Sequence, residues 1–519
     1  MRCPEPALDR PEPHSDAWTA RASGSRIVAP GRNCWRVAQA RRAAVLIDGG
    51  PYFAQLEDAL RQARRSILIV GWDFDGRIRL RPDADPESSP PLGQLLRSLV
   101  ETRPELEIRI LVWSVAVIHA PGAPLPLLFG AEWQDHPRIR LKLDTHHPKY
   151  AAHHQKIVCI DEALAFVGGI DLTVRRWDRK PHLAHDPARL SPEGDPYNPV
   201  HDIQMVVDGE AAQAMCALGR SRWRNATGEE LGKCPANEGL WPPALEPHFT
   251  ATPVAVARTE PAWCDAPAVM EAAALTTDAL RAAQRTVYIE AQYMTASYVG
   301  DVLAESLARE TGPEVIVLMT HLSRGLLERL VMGRNRDRLI RRLKQADRFN
   351  RLRIYYPVVP GPGGEQQVMV HSKLIIVDDA FIRVGSSNLN NRSIGLDTEC
   401  DLAIEATTDA ARSAIASIQR ELVAEHVDAD PAAVDAAIAE TGSVIGAIER
   451  LNTRPRGLRL FEAMSGKGPA RPVFGTGLLD PKQPFAPLRL LWAGKSLIRR
   501  SGHHLAEQGQ AAGKGSERV

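Results

Sequence analysis

The chain has 519 residues, 44% apolar and 24% charged, with a formal net charge of +1. It is long enough to bury one or two large cores, and it lacks the general basic field that nucleic-acid binding calls for. The seven cysteines, Cys3, Cys34, Cys159, Cys216, Cys234, Cys264 and Cys400, are scattered and never in Cys-x-x-Cys spacing. Neither a disulfide framework nor a zinc knuckle is expected, and a reducing, cytoplasmic compartment fits. The first 35 residues carry several prolines and charges and no signal-peptide core. No window reaches about 18 uninterrupted apolar residues, so a membrane would be met peripherally, from its surface.

In chain order, residues 1–40 read as a polar, proline-rich mobile arm. The span 52–65 has a helical period, and Ser66 to Val70 is a short apolar run typical of a buried strand. A helix near 92–101 and strands at 108–113 and 139–143 follow. The helix-strand unit recurs: Ala59-Leu-Arg-Gln-Ala-Arg-Arg-Ser-Ile-Leu-Ile69 aligns with Ala279-Leu-Arg-Ala-Ala-Gln-Arg-Thr-Val-Tyr-Ile289 at an offset of 220 residues. A helix at 302–309 and strands at 315–319 and 352–356 continue the second copy. The expected fold class is α/β, with two duplicated domains, each a mixed sheet flanked by helices. The expected boundaries are 41–245 for the first domain, 246–430 for the second and 431–519 for a helical extension and tail, with one helix over 432–451. The apolar connection 119–129 is read as packed under a helix or as an interfacial lipid contact, and 180–198 and 358–367 as loops that either stay solvated or gate substrate. The basic stretch 324–353 is read as a solvated face, with attraction to anionic lipid headgroups or nucleic acid as the alternative, and the apolar-basic segment 488–500 as a docked piece, with lying on a membrane as the alternative.

The most informative stretch is doubled. His154-Gln-Lys-Ile-Val-Cys-Ile-Asp161, followed by Val167-Gly-Gly-Ile-Asp-Leu172, matches His371-Ser-Lys-Leu-Ile-Ile-Val-Asp378 and Val384-Gly-Ser-Ser-Asn-Leu389 at a constant offset of 217 residues. Residues i and i+2 of a strand share a face, so His154 lies with Lys156 and His371 with Lys373 on the end of an apolar run. A turn at Asp161 or Asp378 leads to a second strand, and a glycine-led bend follows. Imidazole, ammonium and amide donors together suit a phosphoryl group.

This pattern resembles the phospholipase D superfamily, whose signature is His-x-Lys-x4-Asp with a downstream glycine-rich bend, usually present twice. Ile69-Val-Gly-Trp-Asp-Phe74, Arg176-Trp-Asp178, His201-Asp202, Arg222-Trp-Arg-Asn225 and Asp397-Thr-Glu399 add to the resemblance, which spans about residues 45 to 430 and favours the phospholipid-hydrolysing branch. It implies one active site shared by the two copies. The motif residues are His154, Lys156, Asp161, His371, Lys373 and Asp378, with His154 as nucleophile and His371 as general acid. The two lysines would neutralise the phosphodiester, and Asp161 and Asp378 are better read as anchors of their turns. Asn388, Ser386, Gly169 and Asp171 are the substrate-binding candidates, although an acid at Asp171 is a poor phosphate ligand. Asp202 and Glu399 would orient the imidazoles, in a pairing that the sequence leaves open. Arg175 stands where the family commonly has glycine.

The implied activity is hydrolysis of the headgroup phosphodiester of glycerophospholipids at a membrane surface, through a phosphohistidine. No cofactor and no metal are expected, because His146, His147, His153 and His154 lack a completing ligand spacing. Nucleic acid and an obligate protein partner are not expected either. The rival readings are a cardiolipin synthase-like phosphatidyltransferase, a nuclease and a non-catalytic lipid-binding scaffold.

Overall fold

The computed structural model describes residues 26–114, 131–237, 239–264, 266–321, 333–471 and 480. The first half of the chain supplies strands β1 (Arg36–Ile47), β2 (Ser66–Gly71), β3 (Glu107–Trp113), β4 (Ile139–Asp144), β5 (Ile157–Ile160), β6 (Leu164–Gly168), β7 (Val200–His201) and β8 (Ile203–Asp208). The second supplies β9 (Phe249–Glu260), β10 (Val269–Met270), β11 (Thr286–Ala291), β12 (Glu314–Met319), β13 (Leu352–Gly361), β14 (Gly364–Gln367), β15 (Met369–Val370), β16 (Lys373–Val377), β17 (Phe381–Gly385), β18 (Glu399–Glu405) and β19 (Gly457–Leu460).

Pairing runs β4-β3-β2-β5-β6-β8-β1 in the first half, and β13-β12-β11-β16-β17-β18-β9 in the second. The two orders are the same. In each half the outer three strands are parallel and the rest antiparallel. The long strands β1 and β9 join the halves, Arg36 facing Val256 and Ala43 facing Phe249. The duplication inferred from the motifs is therefore a duplication of sheet topology.

Strands such as Ile-Leu-Ile-Val in β2 and Val-Ile-Val-Leu-Met in β12 are apolar throughout because both of their faces are covered. One face of the first half packs under α1 (Gly49–Leu60) and α2 (Leu92–Thr102), and the matching face of the second under α4 (Glu271–Ala282), α5 (Ser297–Ala308) and α6 (Arg334–Ala346). Between the halves, α3 (Gly209–Thr227) and α7 (Asp409–His426) bury a third apolar cluster that draws on both sheets.

Several local expectations are corrected. Residues 26–40 are not part of a free arm: the Ile27 and Val28 N–H groups donate to the Glu405 carboxylate, and Cys34 is buried. The expected helix over 432–451 is two, α8 (Pro431–Thr441) and α9 (Val444–Leu451). Gly442 takes a left-handed conformation between them and Ser443 caps the second. The span 358–367 is a hairpin of β13 and β14. The connection 180–198 is tied down by the buried Arg189, which bonds Asp178 and the carbonyls of Leu183, Ala184 and Tyr197. Cys264 is disulfide-bonded, whereas Cys34, Cys159, Cys216, Cys234 and Cys400 are free. Such a bridge depends on approach in space and leaves no mark in sequence spacing. The segments 119–129, 324–332 and 488–500 lie outside the described residues. Among the described residues no helix is long and apolar enough to cross a membrane.

Candidate active site

The two motif histidines enter one site from opposite halves, each held by the other half's backbone. The His154 N–H donates to the Thr398 carbonyl at 2.9 Å, and the His371 N–H to the His201 carbonyl at 2.8 Å. In both cases the accepting carbonyl belongs to the residue just before an acid. Those acids complete the crossing: Glu399 Oε2 lies 2.9 Å from His154 Nδ1, and Asp202 Oδ2 lies 2.7 Å from His371 Nδ1. This settles the pairing left open by the sequence.

Burial, and after it the charges of Lys156 and Lys373, hold the His154 imidazole well below its ordinary pKa. Burial and then Lys373 do the same to His371. Both rings are thus neutral. With each Nδ1–H given to an acid, each Nε2 is left with its lone pair. Burial raises Asp202, and brings Glu399 up to about 7.

The lysines differ. Lys156 Nζ donates to the His154 carbonyl at 2.9 Å and lies 3.2 Å from Asp171 Oδ2. Lys373 Nζ donates to the His371 carbonyl, sits 3.1 Å from His371 Nδ1, and has no carboxylate in ion-pair contact among the described residues. Burial pushes Lys373 down to about 8.

The bend residues are redistributed by the structure. Asn388 is buried in the motif bend with its acceptor Oδ1 unpartnered, and among the described residues no hydrogen bond engages its Nδ2–H, the donor that a phosphoryl oxygen would need. Ser386 is not: its hydroxyl donates to Glu399 Oε2 at 2.6 Å, while Ser393 takes Oε1 at 2.7 Å. Ser386 therefore supports the acid behind His154. Gly169 plays a spatial part, since a Cβ there would meet Asp202 Oδ1 at 2.1 Å. Asp171 spends one oxygen on the Trp72 N–H and turns the other toward Lys156, which corrects its assignment to substrate binding.

Asp161 and Asp378 sit at the far ends of their strands. Asp161 accepts the backbone N–H groups of Arg64, Arg65 and Ser66, and Asp378 those of Gln284, Arg285 and Thr286. Both have positive φ, 48° and 53°, a conformation that aspartate tolerates. They lock each motif turn to its helix-strand corner and touch no imidazole, which is the anchoring part read for these two motif residues from the sequence.

A second cluster lies directly behind His371. Asp48, His182, His201 and Glu425, all buried, bring four ligand-type atoms within 4.8 Å of one another. His201 Nδ1 is 2.9 Å from Asp48 and 3.0 Å from Glu425; His182 Nε2 is 3.0 Å from Glu425 and 3.5 Å from Asp48. Ligands about 2.0–2.1 Å from a tetrahedral ion stand about 3.3 Å apart, so the donor set could hold a divalent cation if the three hydrogen-bond-length separations widened by a few tenths of an ångström. The outward nitrogens are held in the way ligand histidines usually are, His182 Nδ1 by Asp178 at 3.0 Å and His201 Nε2 by Glu290 at 2.8 Å. Asp48 Oδ2 is buried without a hydrogen-bond partner. When protonated instead, the imidazoles are cations held by these carboxylates, His182 at about 9. The sequence reading missed this group because its members come from four separate stretches. The histidines it weighed for a metal lie elsewhere: His153 Nδ1 is 2.8 Å from Asp144 Oδ2, and His147 Nε2 is 3.2 Å from the Ser114 hydroxyl. Glu290 also accepts from the Ser372 hydroxyl at 3.0 Å, which links the cluster to the motif strand.

Comparison with known proteins agrees with this architecture. Residues 276–421 match the family described as "Cardiolipin synthase, PLD-like domain". Phospholipase D C of Dictyostelium discoideum is 26% identical over 206 residues, covering 35% of this chain and 12% of that protein. Phospholipase D A of the same organism is 23% identical over 435 residues, covering 69% of this chain and 32% of that protein. The matches thus span less than a third of these relatives' length. Among solved structures, the phosphatidylserine synthase of Haemophilus influenzae Rd KW20 shares the fold at 12% identity, with a TM-score of 0.51 over 81% of this chain and 98% of that one. The doubled motif, the doubled sheet topology and these relatives together support the phospholipase D superfamily as the family of this chain.

Proposed function

We propose that the chain is a phospholipase D-type phosphodiesterase that releases the headgroup of glycerophospholipids such as phosphatidylcholine, at a membrane surface, through a phosphohistidine. The observation that carries this reading is the pair of crossed histidine-acid contacts, which leave two neutral imidazoles with Nε2 lone pairs beside Lys156 and Lys373. The entering phosphodiester anion favours a proton on one of them. His154 Nε2 attacks phosphorus, the bond from phosphorus to the headgroup oxygen breaks, and His371 delivers a proton to the leaving alcohol. Water then gives its proton to His371 and attacks the phosphatidyl-His154 phosphorus, and the P–N bond breaks. Lys156, Lys373 and the Asn388 amide hold the phosphoryl oxygens.

A second reading shares every step but the acceptor. The matched family's description names cardiolipin synthase and the solved relative is a phosphatidylserine synthase, so an alcohol acceptor in place of water is the specific alternative. Phosphatidylcholine vesicles with and without added ethanol or glycerol test both. Free choline and phosphatidic acid as main products in water support the hydrolase, and product formed only with an alcohol acceptor supports the transferase. Inversion at a chiral phosphorothioate, with no alcohol adduct, would exclude the covalent intermediate.

A further inference from the structure

Five arginines are buried among the described residues: Arg109, Arg176, Arg189, Arg222 and Arg383. Four have a carboxylate: Glu107 for Arg109, Asp178 for Arg189, Asp144 for Arg222 and Asp401 for Arg383. Arg176 has none. It is 6% exposed, its Nη1 makes one long hydrogen bond to the Arg175 carbonyl at 3.3 Å, and its Nε is buried without a partner. An unpaired buried charge is costly, and a fold that keeps one generally uses it. The position is a fixed one. Arg175 turns the chain with φ 63°, and a Cβ at Gly49 would meet the Arg176 carbonyl at 2.1 Å, so the backbone is clamped at close quarters.

That clamp borders the active site: Gly49 follows Asp48, whose N–H donates to the carbonyl of Asp202, the acid behind His371, at 2.8 Å. Arg176 helps to depress His371 and Lys373 and to favour the charged form of Asp202. Lys156 is balanced by Asp171 at 3.2 Å, so the unspent positive charge lies on the side of Lys373 and Arg176.

We propose that Arg176 is a third anion-binding group of the active site, its unpaired guanidinium donating to a non-bridging phosphoryl oxygen of the substrate beside Lys373. This rests on the phosphodiesterase reading above and adds the group that takes up charge as phosphorus becomes five-coordinate. A planar fork of donors suits equatorial phosphoryl oxygens better than a third ammonium would.

The test uses the full chain with Arg176→Met, which keeps the bulk and removes the charge, and Arg176→Ala. On bis(p-nitrophenyl) phosphate, a soluble diester with no lipid headgroup, Arg176→Met is expected to lose about 10²-fold in kcat/KM. Its Tm is expected to stay level or rise, because an unpaired buried charge has been removed. Millimolar guanidinium chloride should restore part of the Arg176→Ala activity where equal sodium chloride does not, and the thermal shift given by tungstate should shrink in both variants. Arg176→Met within threefold of wild type would overturn the assignment, as would lost activity with a lower Tm and an undiminished tungstate shift. A wild type that cleaves this diester with Arg176 dependence, but frees no headgroup from any phospholipid, sinks the proposed function and leaves this inference standing. If neither substrate is cleaved, an equal tungstate shift in wild type and Arg176→Met overturns it.

Discussion

The two halves share a frame and differ in how charge is spent on it. By strand register Asp202 and Glu399 are equivalents, each two residues before the partner of the motif glycine: Gln204 opposite Gly168, Asp401 opposite Gly385. The shorter acid reaches His371 past a glycine, Gly169. The longer one reaches His154 while held by the Ser386 and Ser393 hydroxyls. Lys156 has Asp171, whereas Lys373 has Asn388 at the matching place and, among the described residues, no carboxylate in ion-pair contact. Behind the first histidine stands one Arg222-Asp144-His153 chain; behind the second stands the four-ligand cluster. Duplication thus supplied a near-symmetric scaffold, and a few side chains made one half electrically closed and the other open to an anion.

The largest test of the comparison treats the halves as one machine. His154→Ala and His371→Ala are each expected to lower kcat by about 10³-fold or more, since removing one member of a cooperating unit costs nearly as much as removing both. Either variant keeping half of the wild-type rate would mean two independent sites. A smaller but asymmetric effect is expected at the cluster. Prolonged dialysis against a strong chelator should lower Tm by several degrees and remove a divalent ion detectable by elemental analysis, and Glu425→Gln should reproduce the loss of that ion. A protein that carries no ion from purification and is unchanged by zinc would leave the cluster as a purely protonic one.

The lysines sharpen the comparison through pH. Lys373, pushed down to about 8 by burial, is a cation below that value and loses its charge as pH rises through it. The kcat/KM profile should therefore fall above about pH 8. Lys373→Arg, if it still turns over, should push that limb to higher pH, while Lys156→Arg should leave it in place. The smallest effect belongs to Arg175. A non-glycine side chain in the left-handed region costs about 1 kcal/mol or more, so Arg175→Gly is expected to raise stability by up to about 1 kcal/mol in denaturant titration with little change in rate.

What was legible in the sequence follows the same division. The constant offset of 217 between the motifs exposed the repeat, the strand pairs and the histidine-lysine faces, because these depend on neighbours along the chain. The resemblance supplied Asp202 and Glu399, but their crossing depends on how the halves meet, which no local spacing records. The metal-type cluster was invisible for the same reason, its donors being Asp48, His182, His201 and Glu425. Ser386 and Gly169 were misread because a hydroxyl or a gap beside a phosphate motif looks the same from sequence whether it faces substrate or an acid. Arg175 was visible as a departure from the family pattern, and the positive φ explains why glycine is common there.

The crossing of acids and histidines also bears on how such a repeat can evolve. Before duplication, a single copy could complete its site only by meeting a second identical chain, and every change to the acid altered both sites at once. After fusion, an alteration to the acid in one copy is felt by the histidine of the other, so neither copy is a spare that can decay while its sibling carries the work. Each is, however, free to change its own second-rank contacts. Divergence is thereby channelled into the surroundings of a fixed reciprocal core, and the same dependence keeps a growing chain inert until its second half has folded against the first.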